Sequence, residues 1–555
     1  MKIFYHVIFC LLFSLLITAF FMILFYPIYN SKSIIIDLGF ISFDIAKKLS
    51  LIWPYIKYVY LISCLTTYLL IGNSLFSSFS KKIRFKKPQN DIPTNLNLYI
   101  GQNEFQDKIY VEEAGLYQNF LITGTIGSGK TSSVMYPFTK QLIEYSYKNN
   151  KHLGMLILDV KGNFYKQVKK YCEYFSRTDD LIILELGGKY KYNPLHKPNL
   201  KPAVLAGRLK TILTLFSQNN SESYWLDKVE QVLTECIKFC RLYNNGYVTF
   251  TEIHKLVNIN DYYIEKLDYL RTLFQRNKFS KKDLFDLNSS IDFFQNEFFN
   301  LDSRVLSILK SEITRITGIF TNDYDVKNTF CPDINSLNFF GFDEVINKGK
   351  IVVLNMNIAK YHNLSKIIAT YLKLDYQIEV LSKLSNNSQK TSVFICDEYH
   401  EYVTSTDADF FAQSREAKCI NIVATQSYSS ILNTIKDNSA CKVIIQNLIN
   451  KLWLRTDDLF TIEDAQKQIG KEEKEKVSKS ISENAKETNF NFITKSFLSR
   501  DSSISESISS YSQLDYKYDS NFFTQNLETF SCLAFLSDGK KIYPPQKIYL
   551  KPFFN

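Results

Sequence analysis

Asn119-Phe120-Leu121-Ile122-Thr123, followed by Gly124-Thr125-Ile126-Gly127-Ser128-Gly129-Lys130-Thr131 and then Ser132, is the stretch on which the fold turns. The first five residues form a short apolar run of the kind that makes a buried strand, and from Ser132 to about Tyr147 the pattern becomes helical. Between them lies G-x-x-x-x-G-K-[ST] in the strand–loop–helix setting that its chemistry needs. Glycines at 124, 127 and 129 let the backbone wrap a phosphate with its N–H groups pointing inward. The helix N-terminus adds partial positive charge. Lys130 would reach the β- and γ-phosphates, and the Thr131 hydroxyl can ligate Mg²⁺. Thr125, Ile126, Ser128 and Ser132 complete the stretch expected to line the nucleotide, so ATP and Mg²⁺ are the expected cofactors.

Such a loop needs a second strand that ends in carboxylates. Ser392-Val-Phe-Ile-Cys-Asp397-Glu398 is an apolar run ending in two acids. Asp397 is placed to hold Mg²⁺, directly or through water, and Glu398 to polarise the attacking water. His400, two residues on, is given no chemical role. The next apolar run, Cys419 to Thr425, ends at Gln426, which is expected to face the γ-phosphate and sense it. Arg415 reads equally as a finger reaching a neighbouring subunit's nucleotide and as an exposed helix residue. Gly154-Met-Leu-Ile-Leu-Asp159-Val160-Lys161-Gly162 is a further strand ending at the functional edge of a doubly wound sheet; Asp159 and Lys161 are read as structural.

Around this centre, 555 residues suggest three or four compact units. The charged fraction is 22%, the hydrophobic fraction 45% and the formal charge +10. That balance is compatible with nucleic acid but does not single it out, because Lys, Asn, Ile, Phe and Tyr abound along the whole chain. The ten cysteines are scattered. Cys236 and Cys240, at i and i+4, have no further His or Cys at metal spacing and read as core.

Val7 to Tyr26 is uncharged and long enough to cross a bilayer, and a second uncharged run begins at Tyr58, giving two expected transmembrane helices at about 7–27 and 58–76. The cluster Lys81-Lys82-Ile83-Arg84-Phe85-Lys86-Lys87 would stay on the cytoplasmic side. Residues 1–80 are thus expected to be a membrane anchor that crosses twice, with the bulk of the chain on the cytoplasmic side. From about Lys201 to Asn335 helical periodicity replaces strand runs, too long a stretch for a loop, so it reads as an inserted all-α domain. Its phenylalanines (Phe285, Phe293, Phe294, Phe298, Phe299) could stack bases, although core packing is favoured. Residues 81–200 and 336–555 would be the two parts of the nucleotide-binding domain, with a mobile polar segment at about 470–513.

Taken in order, these features resemble the type IV coupling proteins, the inner-membrane ATPases of conjugation and type IV secretion. The resemblance rests on the two N-terminal runs, Thr123 to Thr131, the Asp159–Gly162 element, Tyr192-Asn193-Pro194-Leu195, Ser223-Tyr-Trp225-Leu-Asp-Lys, Gly349 to Asn355, Asp397-Glu398 and Ala424-Thr425-Gln426. Val160 stands where the family commonly has Pro. The resemblance implies a RecA-like α/β motor interrupted by a helical insert and a homo-hexamer with nucleotide sites between subunits. It also implies ATP-driven transfer of single- or double-stranded DNA with a relaxase or effector protein into the secretion channel. An ATP-dependent receptor for protein effectors and a chromosome-segregating DNA translocase are alternatives on the same core.

Overall fold

The structure, a computed structural model, describes residues 96–147, 151–215, 223–276, 280–385, 390–483, 488–491, 496–499 and 504–554, together with Lys48, Leu51, Tyr55 and Tyr58. Residues 1–91 and 92–555 form two separate units, and the description below concerns the second.

Its frame is one eleven-stranded sheet. In chain order the strands are β1 (Asn97–Asn103), β2 (Lys108–Glu112), β3 (Phe120–Thr123), β4 (Gly154–Leu158), β5 (Leu181–Leu184), β6 (Ile351–Leu354), β7 (Ser392–Cys396), β8 (Cys419–Thr425), β9 (Asn450–Trp453), β10 (Ser531–Phe535) and β11 (Gln546–Tyr549). Across the sheet they lie in the order β2-β1-β11-β10-β9-β3-β8-β7-β4-β6-β5. From β9 to β5 every pairing is parallel. From β9 to β2 every pairing is antiparallel. The parallel strands are covered on both faces and therefore read as continuous apolar runs. Alternate residues still go to opposite cores. Leu156, Leu158, Phe394 and Cys396 join the core shared with the helical insert, while Met155, Ile157, Val393 and Ile395 join the other.

Parallel pairing brings the carboxyl ends of β3, β8, β7 and β4 to one edge. Thr123 is opposite Thr425, and Leu158 is opposite Cys396. Each of the loops that follow these ends carries a residue singled out above, which is where an open α/β sheet binds its ligand.

Between β5 and β6 the described residues from Pro202 to Ser336 are helical wherever they are regular, including Pro202–Leu215, Ser223–Tyr243 and Ser303–Thr321. Phe293, Phe294 and Phe298 are buried, Phe294 against Phe239 and Tyr263 and the other two against Phe294, so they build the core of this region; Phe285 is exposed. Cys236 and Cys240 are fully buried in the same core. Tyr192-Asn193-Pro194 ties these helices to the sheet domain. The Tyr192 hydroxyl donates to Asp375, Asn193 Nδ2 to the Val248 carbonyl at 2.8 Å, and the Tyr371 hydroxyl to the Pro194 carbonyl at 3.1 Å. Asp375 is wholly buried and neutralised by Arg208 at 2.6 Å and Lys197 at 2.8 Å, as a carboxylate at such depth requires.

One expectation is refined and another corrected. First, the segment at 470–513, expected as a mobile polar stretch, contains long strands among its described residues. Lys471–Glu483 pairs antiparallel with Ile504–Tyr516 along its whole length, an arm of roughly 40 Å at ~3.3 Å per residue. At the base of this ribbon, residues 471–477 and 510–516 are exposed or half-buried, so no buried face marks it. Its base instead carries cross-strand charge pairs such as Lys476–Asp515 at 3.3 Å. Second, the multi-pass inner-membrane location is overturned: no helix among the described residues is long and apolar enough to cross a membrane. The expected spans at 7–27 and 58–76, apart from Tyr58, lie outside the described residues.

Candidate nucleotide site

At the carboxyl edge of the sheet the loop after β3 turns through two left-handed glycines, Gly127 (φ 81°) and Gly129 (φ 101°), a conformation that side chains resist. The amides of Gly127 and Gly129 have no acceptor among the described residues. The loop is braced from outside: Gly124 N donates to the Gln426 carbonyl (3.3 Å) and Thr125 N to the Arg455 carbonyl (2.8 Å). Ser128 is buried and closes the turn through its hydroxyl to the Thr125 carbonyl (2.8 Å). Lys130 to Met135 then form a widely wound π-helical turn that leads into a regular helix, Tyr136–Glu144. Turns of this kind are frequent at functional sites.

Lys130 is 6% exposed, and its ammonium donates to the loop's own carbonyls, Gly124 O and, at 3.2 Å, Thr125 O. Burial lowers its pKa, opposed by the Glu398 and Asp397 charges. The neighbouring Thr131 hydroxyl donates to Asp397 Oδ2 at 2.7 Å. Asp397 is wholly buried at the end of β7, with its amide on the Leu158 carbonyl at 3.0 Å. Burial pushes its carboxyl up to about 6, and Asp159 and Glu398 add to the rise against the Thr131 hydrogen bond. A buried carboxylate adjoining a threonine hydroxyl is a hard-oxygen donor set that suits Mg²⁺. No group of three or more His, Cys, Asp or Glu among the described residues could hold a metal by itself. That fits an ion carried mainly by phosphate oxygens and water, with few ligands from the protein.

Glu398 stands in the left-handed region (φ 50°), which costs a non-glycine residue of order 1 kcal/mol and tends to persist at functional sites. Its Oε1 is 3.8 Å from Lys161 Nζ, and its buried Oε2 has no hydrogen-bond partner. His400 Nδ1 is 3.8 Å from that Oε2 and 3.2 Å from the Thr425 hydroxyl; burial lowers the imidazole pKa and favours the neutral ring. Directly after Glu398 the turn is locked from beneath. Asp407 accepts from Lys373 Nζ at 2.6 Å, the Tyr399 hydroxyl at 2.6 Å, Gln377 Nε2 at 2.9 Å and Thr404 N at 3.1 Å. Lys373 and Asp407 both have no exposed surface.

A cleft of about 430 Å³ brings together Lys130, Thr131, Ser132, Lys161, Glu398 and Gln426, with Ile126, Tyr136 and Phe530 as its apolar walls. Asp397 reaches it through Thr131. Arg415 is not brought to this cleft. It lies just before β8, at the opposite edge of the sheet, and its guanidinium donates to the Gly539 carbonyl at 3.3 Å. Lys161 is the residue whose place at the site its sequence does not announce. Asp159 explains how it gets there, since its carboxylate accepts from the amides of Lys161, Asn163 and Phe164 at 3.0–3.1 Å and folds the loop back over Glu398. The signal available was position alone: two residues past a strand end next to β7.

Residues 334–501 match the family model described as the type IV secretion-system coupling protein DNA-binding domain. No curated protein matches the chain. Among solved structures, the unbound bacterial conjugative coupling protein TrwBΔN70 superposes with a TM-score of 0.54 at 12% identity, covering 82% of this chain and 90% of that one. TrwB in complex with the non-hydrolysable GTP analogue GDPNP gives 0.52 at 12% identity, over 80% of this chain and 87% of that one. The sulphate complex of TrwBΔN70 gives 0.51 at 12% identity over 79% and 86%. At these identities the superpositions establish a shared mixed α/β fold. The match at 334–501 takes in Asp397, Glu398 and Gln426, so this part of the chain is similar to the DNA-binding domain of the type IV secretion-system coupling proteins.

Proposed function

We propose that the chain is an ATPase that drives DNA, with an escorted protein, into a type IV secretion channel, its nucleotide sites lying in a ring of identical subunits. The observation that carries the hydrolytic part is the Thr131–Asp397 hydrogen bond at 2.7 Å, with Glu398 and Lys130 in the same cleft. It joins the two oxygens that a Mg²⁺–nucleotide complex needs at the foot of the phosphate loop. The description of the domain matched at 334–501 supports DNA as the partner. TrwB, which shares the fold, has been captured with a GTP analogue, and that supports nucleotide binding on this framework.

In this reading the loop amides of Gly127 and Gly129 cradle phosphate oxygens, and Lys130 exchanges its carbonyl partners for the β- and γ-phosphates. Thr131 and Asp397 would hold Mg²⁺, which when bound neutralises phosphate charge. Glu398 accepts the proton of the attacking water; its buried, unpartnered Oε2 is the atom suited to this. Lys161 stabilises negative charge beside Glu398, and Gln426, whose carbonyl holds Gly124, relays the state of the γ-phosphate to β8. The full-length protein should turn over ATP faster with DNA than without it. Lys130→Ala should abolish both rates, and Glu398→Gln should cut turnover by on the order of 10²-fold or more while sparing ATP binding. Turnover that ignores DNA, with substrate transfer intact in the Glu398→Gln protein, would replace the motor with a nucleotide-ordered receptor.

A further inference from the structure

We infer that Phe530, backed by the aromatic tail at Phe553 and Phe554, is the nucleobase subsite of the cleft, a stacking ledge that accepts a purine by its π face without reading its edge. This rests on the phosphate-loop reading above and adds a specificity element to it.

Phe530 is held where it is. Its backbone is left-handed (φ 66°), unusual for a bulky residue, with N–H donating to the Ser128 carbonyl at 3.3 Å and carbonyl accepting from Leu550 N at 2.7 Å. The ring lies directly on the phosphate loop: a Cβ at Gly129 would come within 2.6 Å of it. The tail is tied to the same loop one turn further on, where Phe553 N donates to the Ser132 carbonyl at 2.9 Å. Both attachments run through main-chain atoms, so the aromatic side chains are positioned and remain available for contact.

The cleft's walls then divide by chemistry. Lys130 and Lys161 suit the phosphates, with Glu398 and Gln426 at the reacting end, leaving Ile126, Tyr136 and Phe530 as apolar surface. Ile126 is 80% exposed and has no π face. Tyr136 already packs edge-on against Phe164 (4.7 Å) and Phe553 (5.0 Å). Among the described residues Phe530 has a single ring neighbour, Phe554, edge-on at 5.9 Å, itself steadied by Phe553 at 5.3 Å. A ring braced from one side against a phosphate loop is what base stacking needs, and stacking is indifferent to which base is bound because every base has a π face. The threonine and serine hydroxyls of the cleft, on Thr125, Thr131 and Ser132, bond to the Arg455 carbonyl, Asp397 and the Gly129 carbonyl.

The test is calorimetric, on the full chain with Mg²⁺, using non-hydrolysed ATP and GTP analogues and inorganic tripolyphosphate, which lacks a base. The wild type should bind the two analogues within about three-fold of each other. Phe530→Leu, which keeps an apolar filler against Gly129, should weaken both roughly ten-fold, and Phe530→Trp should restore them. Neither change should move tripolyphosphate by more than about two-fold. Unchanged analogue affinity in Phe530→Leu, a loss confined to one base, or a parallel loss of tripolyphosphate would each overturn the proposal; the last would mean that the ring merely shapes the loop. Failure of the underlying reading looks different: tripolyphosphate would then not bind the wild type, or would bind Lys130→Ala equally well.

Discussion

Replacing Asp407 by alanine should be the most damaging single change in the motor that touches no ligand. The carboxylate collects hydrogen bonds from Lys373, Gln377, Tyr399 and Thr404, all in the buried layer under Glu398. Without it, the Lys373 ammonium keeps only the Tyr402 carbonyl (2.7 Å) and the Thr404 hydroxyl (3.0 Å) and has no counter-charge. Removing one partner of a buried pair costs about 3–5 kcal/mol, because the other charge is left desolvated. Burial already lowers the Lys373 pKa, and Asp407 is the main opposing influence. In Asp407→Ala the lysine therefore loses its proton on folding. The unfolded chain then binds more protons than the folded one, and stability rises with pH toward the ordinary lysine pKa of ~10.4. Equilibrium urea unfolding at pH 7 and pH 9 would measure both effects, and Lys373→Met with Asp407→Leu would complete a double-mutant cycle. The expected coupling exceeds about 2 kcal/mol, with the double variant recovering most of the loss. In whatever Asp407→Asn protein folds, kcat should fall more than KM rises, because Tyr399 adjoins Glu398 and does not line the nucleotide cleft. A loss below about 1 kcal/mol, independent of pH, would show that the pair is not the keystone of this layer.

Asp397 and Lys161 give two further expectations. With its carboxyl pushed up to about 6, Asp397 holds a proton in the folded chain between roughly pH 4 and 6 that the unfolded chain has released, so it lowers stability as pH rises through that window. Asp397→Asn should therefore raise the urea midpoint above pH 6, while wild-type affinity for Mg²⁺–nucleotide should fall about ten-fold per unit below pH 6 and the variant's should not. Lys161→Ala should lower kcat by roughly 10–100-fold with little change in the nucleotide dissociation constant, and Lys161→Arg should recover part of it. An unchanged kcat would return Lys161 to a purely structural place.

What can be read along the chain depends on whether the deciding contact is local. The phosphate loop is local: strand, glycines, lysine and helix follow one another, and Gly127 and Gly129 take the left-handed turns that their spacing implies. The apolar strands ending at Asp397 and at Thr425 are legible for the same reason, since burial on both faces writes itself as an unbroken hydrophobic run. Lys161 is not legible, because its relevance is a 3.8 Å approach to a residue far along the chain, created when β4 and β7 pair. Arg415 illustrates the converse. Its spacing from β8 is informative only once the direction of that strand is known, and the parallel sheet puts it at the edge away from the phosphate loop. The paired strands at 471–483 and 504–516 escape a periodicity argument, since their described side chains, at 471–477 and 510–516, include none that is buried.

The antiparallel flank carries a consequence for biosynthesis. β1 has β2 on one side and β11 on the other, with Gln102 opposite Tyr549, so an early strand waits for a partner translated about 450 residues later. At ~5–20 residues per second the ribosome takes roughly half a minute or more to supply it. Throughout that interval one backbone edge of β1 remains open to other chains, until β10 and β11 have been made and can close the gap. Chaperone dependence during synthesis should follow from the order in which this sheet is threaded, and tethering a β10–β11 segment ahead of β1 should relieve it.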